Sequence, residues 1–239
     1  MIFETVIFLS VSFLAAAFAT LAGFGSSTLL MPAALIFMDI KPAIFLVACF
    51  HMFNNLFKVR LFYRKIDFRT FFIFGIPSVI CAFFGALLIS ILPVQMIKKI
   101  LAGFLVLFAL FSLFESKIKL RAGMFNGVIG GGLSGFLAGL IGLGGAIRSA
   151  FLIAFDLPKE TYVATAAMIA FVVDLTRIPA YIGTRVGGDA KIYMLLPFLL
   201  LTAFLGVRSG KILLEKMPQL IFRRIVLITI ALAGLKLFF

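Results

Sequence analysis

The chain has 239 residues, 64% of them hydrophobic and 13% charged, with a formal net charge of +13 at pH 7. A mean hydropathy of +1.24 excludes a water-soluble globular domain of this size and leaves a polytopic helical membrane protein. The surplus of Lys and Arg sits mostly in short loops, as positive-inside topology requires, and no basic run or soluble reader domain is present to bind nucleic acid.

Residues 3–22 form the first apolar run. Small residues at Ala15 to Ala19 imitate a signal-peptide cleavage zone, but the only early charge is Glu4 and the positive n-region is missing. The run is therefore read as the first membrane helix. Runs at 27–39, 42–62, 69–92 and 94–114 follow, then a polar linker from Glu115 to Arg121. Five more runs lie at 123–140, 145–156, 159–183, 190–210 and 218–238. A span needs roughly 20 apolar residues, and the second run of each five is too short to cross upright.

Each short run follows a glycine break. The first reads Ala22-Gly23-Phe24-Gly25-Ser26-Ser27-Thr28; the second reads Ile141-Gly142-Leu143-Gly144-Gly145-Ala146, 119 positions on. Gly costs about 1 kcal/mol in a helix interior, so consecutive glycines break helices. A bilayer core tolerates broken backbone only where protein buries it or water wets it. Each break is read as the tip of a helical hairpin dipping into the membrane, and such a pair marks a transporter's central binding site. A Rossmann loop at Gly142-Leu143-Gly144 would need a preceding strand, which nothing here supplies.

The chain thus reads as one domain, 1–239, with repeat one at 1–114, a linker at 115–121 and repeat two at 122–239. Other matches support the repeat. Asp39-Ile40 and Asp156-Leu157 close the short runs, each followed by a proline, Pro42 or Pro158. Gly85-Ala86-Leu87-Leu88 matches Gly210-Lys211-Ile212-Leu213, and Pro93 matches Pro218. Small residues recur every four positions before each break: Ser12, Ala16, Thr20 and Gly127, Gly131, Gly135, Gly139. At that spacing they share one helix face and let another helix approach closely.

Loop charge sets the orientation of the halves. Residues 58–69 carry Lys58, Arg60, Arg64, Lys65 and Arg69 against Asp67, whereas the equivalent 184–191 carries Arg185 and Lys191 against Asp189. The bias reverses later: 208–224 holds five cations against Glu215, and its first-half equivalent only Lys98 and Lys99. The positive-inside rule puts 58–69, 115–121 and 208–224 in the cytoplasm and both termini outside. The expected architecture is all-α: about eight transmembrane helices plus two half-membrane re-entrant helices, in two inverted-topology repeats whose tips meet near the midplane.

Helix N-termini at the tips offer free backbone N–H groups and about half a positive charge, which suits an anion. Ser26, Ser27 and Thr28 add hydroxyls, and Gly144 and Gly145 let a ligand approach backbone; tight helix packing is the competing reading. Polar residues inside spans are expensive and functional by default. The third run holds His51, Asn54, Asn55 and Lys58; the eighth holds Thr165, Asp174, Thr176 and Arg177. At an offset of 119, Asn55 matches Asp174 and Lys58 matches Arg177. Asp174 and Arg177 can pair on one face, which would explain Arg177 without any ligand. Arg148, one turn into the second short helix, opposes the helix dipole unless an anion or acid lies nearby. His51, the only histidine, is either a packing residue or, with Asp174, a proton relay. Asp174 is the one acid clearly inside a span, so a multi-carboxylate cation site is not expected, nor a metal or other cofactor. Cys49 and Cys81 lie far apart in apolar runs and read as buried thiols.

These residues resemble the TauE/SafE family of sulfite and organosulfonate exporters over nearly the whole chain. The resemblance rests on Gly23-Phe24-Gly25 and Gly142-Leu143-Gly144-Gly145, on Pro32 nine residues past the first, on Val163-Ala164-Thr165-Ala166, and on Asp174-Leu175-Thr176-Arg177-Ile178-Pro179. The chain departs from the fuller glycine run at Ser26, Ser27 and Ala146, and has Phe151 where a proline is expected. Because the tips line the presumed site, those departures bear on the substrate. The resemblance implies a small sulfur-containing anion; composition and spacing alone reach only a small anion.

The expectation is an inner-membrane transporter, not an enzyme, exporting a sulfite-like or sulfonate anion by alternating access. Its candidate substrate ligands are Gly23, Gly25, Ser26, Ser27, Thr28, Asn54, Asn55, Lys58, Gly142, Gly144, Gly145, Arg148, Thr165, Asp174 and Arg177. Its partners are the anion and the lipid bilayer, with a homo-oligomer left open. Three alternatives stand beside it. One is a proton-coupled carrier of another small anion. Another is a non-transporting scaffold or assembly factor with packed tips and no cavity. The last is an intramembrane enzyme, for which one His, two isolated Cys and one buried acid are a poor inventory.

Overall fold

A computed structural model describes residues 2–22, 25–114, 123–187 and 190–213. Among them the regular elements are helices: α1 (Ile2–Ala22), α2 (Ser27–Phe37), α3 (Ile40–Phe62), α4 (Phe68–Ile91), α5 (Val94–Phe114), α6 (Met124–Ile141), α7 (Gly145–Leu152), α8 (Lys159–Gly183) and α9 (Ala190–Leu213). Five segments among the described residues are long and apolar enough to cross a membrane: Ile40–Lys65, Phe68–Ile91, Met124–Ile141, Glu160–Gly183 and Ile192–Ile212. The protein is a polytopic helical membrane protein. The linker at 115–121, Gly23 and the run at 218–238 lie outside the described residues.

The helices begin and end close to where the apolar runs do. The clearest differences lie around the short helices. α2 stops at Phe37, and Asp39 stands in extended backbone at the position before α3, with no side-chain cap bond, instead of closing α2. α7 ends at Leu152 and passes through a 3-10 turn, Ile153–Phe155, to Asp156, whose φ of 49° is the left-handed geometry an Asp tolerates.

The small-residue stripes are packing faces. A Cβ on Gly131, Gly135 or Gly139 of α6 would run into the carbonyl oxygens of Phe74, Ser78 and Ala82 of α4 in turn, so the two helices run parallel with backbones in contact. Ser78 also donates its hydroxyl to the carbonyl of Gly131 at 2.9 Å. α1 and α9 make the equivalent parallel pair. Ser12 donates to Thr202 at 2.8 Å, and a Cβ on Gly206 would lie 2.6 Å from the Phe13 carbonyl. The spacing of 119 recurs in the contacts: Gly85 abuts the carbonyl of Phe136, while Gly210 abuts that of Ala17, 119 positions before Phe136. α4 thus packs on α6, and α9 on α1. Close approach of small residues supplies the van der Waals contact that holds helices together where lipid offers no hydrophobic drive.

α3 and α8 form the centre and run antiparallel. The N–H of Asp67, just past α3, donates to Thr165 near the start of α8 at 2.9 Å. At the other end the ring of Phe45 of α3 packs at a tilt against that of Tyr193 and lies against Gly187, beyond α8. α3 is buried along most of its length, whereas α4 and α9 turn Phe72, Phe84, Ile91, Phe198 and Leu201 outward, the composition of a lipid-facing surface.

Candidate functional site

The two glycine breaks meet. An ideal Cβ on Gly145 would lie 2.6 Å from the backbone nitrogen of Gly25 and 2.9 Å from its Cα, so only glycine allows this approach. α2 and α7 therefore start side by side, with their N-terminal ends at the junction. Gly142 caps α6 with φ 78°, the left-handed geometry that turns the chain back toward α7. The sequence led us to expect Gly144 and Gly145 to open backbone to a ligand. Here protein backbone fills those places: Gly144 lies against the Ser134 carbonyl, and Gly145 against Gly25.

The first tip carries buried hydroxyls without partners. Ser26, Ser27 and Thr28 are buried, and the side-chain oxygen of each lacks a hydrogen bond. The same is true of Asn54 Oδ1 and Arg148 Nε. An unsatisfied buried polar group costs roughly 1–3 kcal/mol, so four at the starts of α2 and α7 and a fifth on α3 call for an explanation. Beside the junction is a small cavity of about 10 Å³, room for one water, lined by Gly25, Asn55, Lys58, Arg148, Val163, Ala166 and Ala167.

Behind the tips lies a paired polar cluster. Asp174 accepts from Nε of Arg177 at 2.8 Å and from its Nη2 at 2.7 Å, both on Oδ1. Its other oxygen, Oδ2, accepts from Nδ1 of His51 at 2.8 Å. That bond makes Nδ1 the donor, so in the neutral ring Nε2 is left as the acceptor. Nε2 points at the first tip, 2.7 Å from an ideal Cβ on Gly25. Asn55 donates to the carbonyl of His51 at 2.8 Å, with its amide nitrogen 3.2 Å from Nε2.

Repeat-equivalent cations make repeat-equivalent contacts. Lys58 donates to the carbonyl of Ala19 at 3.2 Å, in the last turn of α1. Arg177, 119 positions later, donates to the carbonyl of Ala138, 119 positions after Ala19 and in the last turn of α6. The last carbonyls of a helix lack intrahelical partners and carry partial negative charge, so a cation there caps the helix before each break. Asn54 makes a longer contact with α1, 3.5 Å from the Ala16 carbonyl.

The junction thus brings together Gly25, Asn55, Lys58, Gly145 and Arg148, with His51, Asp174 and Arg177 one layer behind. Thr165 stands apart from the tips, because its hydroxyl accepts from Asp67. Two contributors escaped sequence reasoning. Tyr181 donates its hydroxyl to the carbonyls of Ala138 and Gly139, and Ser134 donates to the carbonyl of Gly144 at 3.0 Å. Tyr181 falls one turn past Arg177, a spacing that could have found it; Ser134 was hidden in the glycine stripe.

The sequence pattern of the family Sulfite exporter TauE/SafE matches residues 8–237, both glycine breaks and the intervening helices included. The chain belongs to the TauE/SafE sulfite exporter family. It is a multi-pass membrane transporter and not an enzyme. No curated protein matches the chain.

Proposed function

We propose that this TauE/SafE member exports a small sulfur-containing anion, sulfite or an organosulfonate, across the inner membrane by alternating access at the junction of the two tips. The observation that carries the reading is the set of buried, unpartnered hydroxyls and Arg148 Nε around two helix N-termini. Donors without partners are what an incoming oxyanion would satisfy. The cavity has room for one water and is too small for a sulfite ion, so the reading requires the tips to part for binding. Packed tips are also what a scaffold would have; unpartnered polar atoms between them favour the carrier, since a purely structural junction gains nothing from them. An interior-negative potential helps an anion leave, by about 2.3 kcal/mol per charge per 100 mV.

In this reading α2 and α7 are the half-membrane arms of re-entrant hairpins. The halves are inverted repeats, with about eight full spans, both termini outside, and Asn54, Lys58 and Arg177 beside the tip residues as anion ligands. The antiparallel course of α3 and α8, equivalents in the repeat, supports the inversion. Cysteines at Arg64 and Arg185, in a background lacking Cys49 and Cys81, should label from opposite sides; labelling from one side would leave only a parallel repeat. Transport is tested in proteoliposomes loaded with sulfite or an alkylsulfonate. Efflux by the wild type, absent in Gly25→Val, supports the carrier, and wild-type vesicles no leakier than empty ones would sink it.

A second reading concerns coupling and rests on the bond from His51 Nδ1 to Asp174 Oδ2. That pair is a ready path for one proton, so export would acidify the receiving side with the anion. His51→Gln would then uncouple proton flux from efflux.

A further inference from the structure

The charge count at the junction favours one class of anion. Among the described residues the buried charged side chains are Lys58, Arg148, Arg177 and Asp174, with His51 beside them. Asp174 is fully engaged by Arg177 and His51. Lys58 and Arg148 both line the cavity, and no described carboxylate lies within ion-pair distance of either. With His51 neutral and Lys58 protonated, as it would be opposite a bound anion, the cluster carries a net +2. Lys58 gains partial compensation from the last turn of α1, but that offsets only a fraction of one charge.

The imbalance has a sequence origin. In the second half a carboxylate, Asp174, stands three residues before the cation. In the first half the equivalent position holds Asn55, an amide of nearly the same shape, three residues before Lys58. A buried charge without a counter-charge is costly, and that cost is recovered when a ligand supplies the missing charge. A monovalent anion would leave one cation uncompensated; a divalent one would neutralise both.

We propose that the tip site selects divalent oxyanions over monovalent ones, and that Asn55, by leaving Lys58 without a carboxylate, sets that selectivity. The inference rests on reading the junction as an anion site and adds the charge class of its substrate. It favours sulfite in its doubly ionised form, sulfate, thiosulfate or a sulfonate bearing a second acid over a simple alkylsulfonate.

The test is calorimetric titration of the purified protein in lipid nanodiscs with thiosulfate, a fixed dianion, and with methanesulfonate, a monoanion of similar girth. The wild type should bind thiosulfate at least about tenfold more tightly, a gap of about 1.4 kcal/mol. Asn55→Asp should narrow the gap to about threefold or less, chiefly by weakening thiosulfate. Lys58→Gln reaches the same net charge without placing a carboxylate beside His51, and should do the same. Equal affinities in the wild type would overturn the charge count while leaving the anion site standing. Variants that weaken both anions by the same factor would overturn it too, because Lys58 would then act through the fold alone. Binding of neither anion to the wild type would remove the anion site and this inference together.

Discussion

Lys58 and Arg177 occupy the same place in the two halves and do the same first job, donating to a carbonyl in the last turn of the helix before each glycine break. They differ in what stands one turn earlier. Arg177 is held by Asp174, which also holds His51, so its charge is settled inside the protein. Lys58 has Asn55 there, and its charge faces the cavity. Matching helix-end contacts fix where the two cations sit and leave their availability to a single neighbouring side chain.

The largest effect should come from breaking the settled half. Arg177→Gln leaves Asp174 buried with only His51 as partner, and should cost about 3–5 kcal/mol of stability in detergent unfolding. The double change Asp174→Asn with Arg177→Gln should recover most of that loss. A double variant as unstable as the single one would show that Arg177 matters mainly as the cap on α6. Lys58→Gln, by contrast, should unfold close to wild type and show its deficit in anion binding.

Next in size are the tips. Gly25→Val drives a side chain into His51, and Gly145→Val drives one into Gly25. Both should insert normally and lose at least about tenfold in transport rate, since the junction can no longer close. Wild-type efflux from both variants would mean that the breaks do nothing beyond packing helices.

Hydroxyls separate the two tips more finely. Ser27→Ala and Thr28→Val remove oxygens that have no partner, so stability should hold or rise by up to about 1 kcal/mol while anion binding weakens. Ser134→Ala removes a bond to the Gly144 carbonyl and should cost about 1 kcal/mol of stability. The opposite pattern would assign the second tip to the ligand and the first to the fold.

The smallest effect lies outside the membrane, at the α3–α4 turn. Asp67 accepts from the backbone N–H of Thr70 at 2.7 Å, and that bond holds its carboxyl below the usual carboxylate range. A depressed value means that the cap stabilises above the ordinary range of an Asp and fades as pH falls through the lowered one. Asp67→Ala should cost about 1 kcal/mol at neutral pH. The difference from wild type should vanish in acid; a pH-independent difference would mean that the carboxylate is not the cap.

Much of this architecture is legible in the chain. Apolar run length, glycine spacing and the small-residue stripes give the helices nearly to their ends, because in a bilayer the backbone must satisfy itself and little else is allowed. The offset of 119 also brings out Asn55, Asp174, Lys58 and Arg177, and the i, i+3 pairing of Asp174 with Arg177 is local enough to be read directly. The contact of His51 with Asp174 is not legible, since 123 residues separate them and only the packing of α3 on α8 decides it. Nor is the role of Gly144 and Gly145. A glycine that admits a ligand and one that admits another backbone look the same in sequence; only the neighbour across the gap tells them apart. The stripes carried the same ambiguity about partner: spacing says that α1 and α6 pack closely, but not that each packs on a helix from the other half.

That exchange of helices has a consequence for how the protein is made. α1 leaves the ribosome well before α9, yet its stripe is completed by α9, and Ser12 reaches Thr202 only across 190 residues. Until α9 arrives, α1 must wait in lipid with its small-residue face unfilled. α6 faces no such delay, because α4 is already in place when it enters. Assembly should therefore be vectorial but closed late: α6 docks on α4 as it emerges, and only the later clasp of α9 on α1 joins the two ends of the described chain. A truncation before α9 would leave inserted helices without a locked bundle, a natural substrate for membrane quality control.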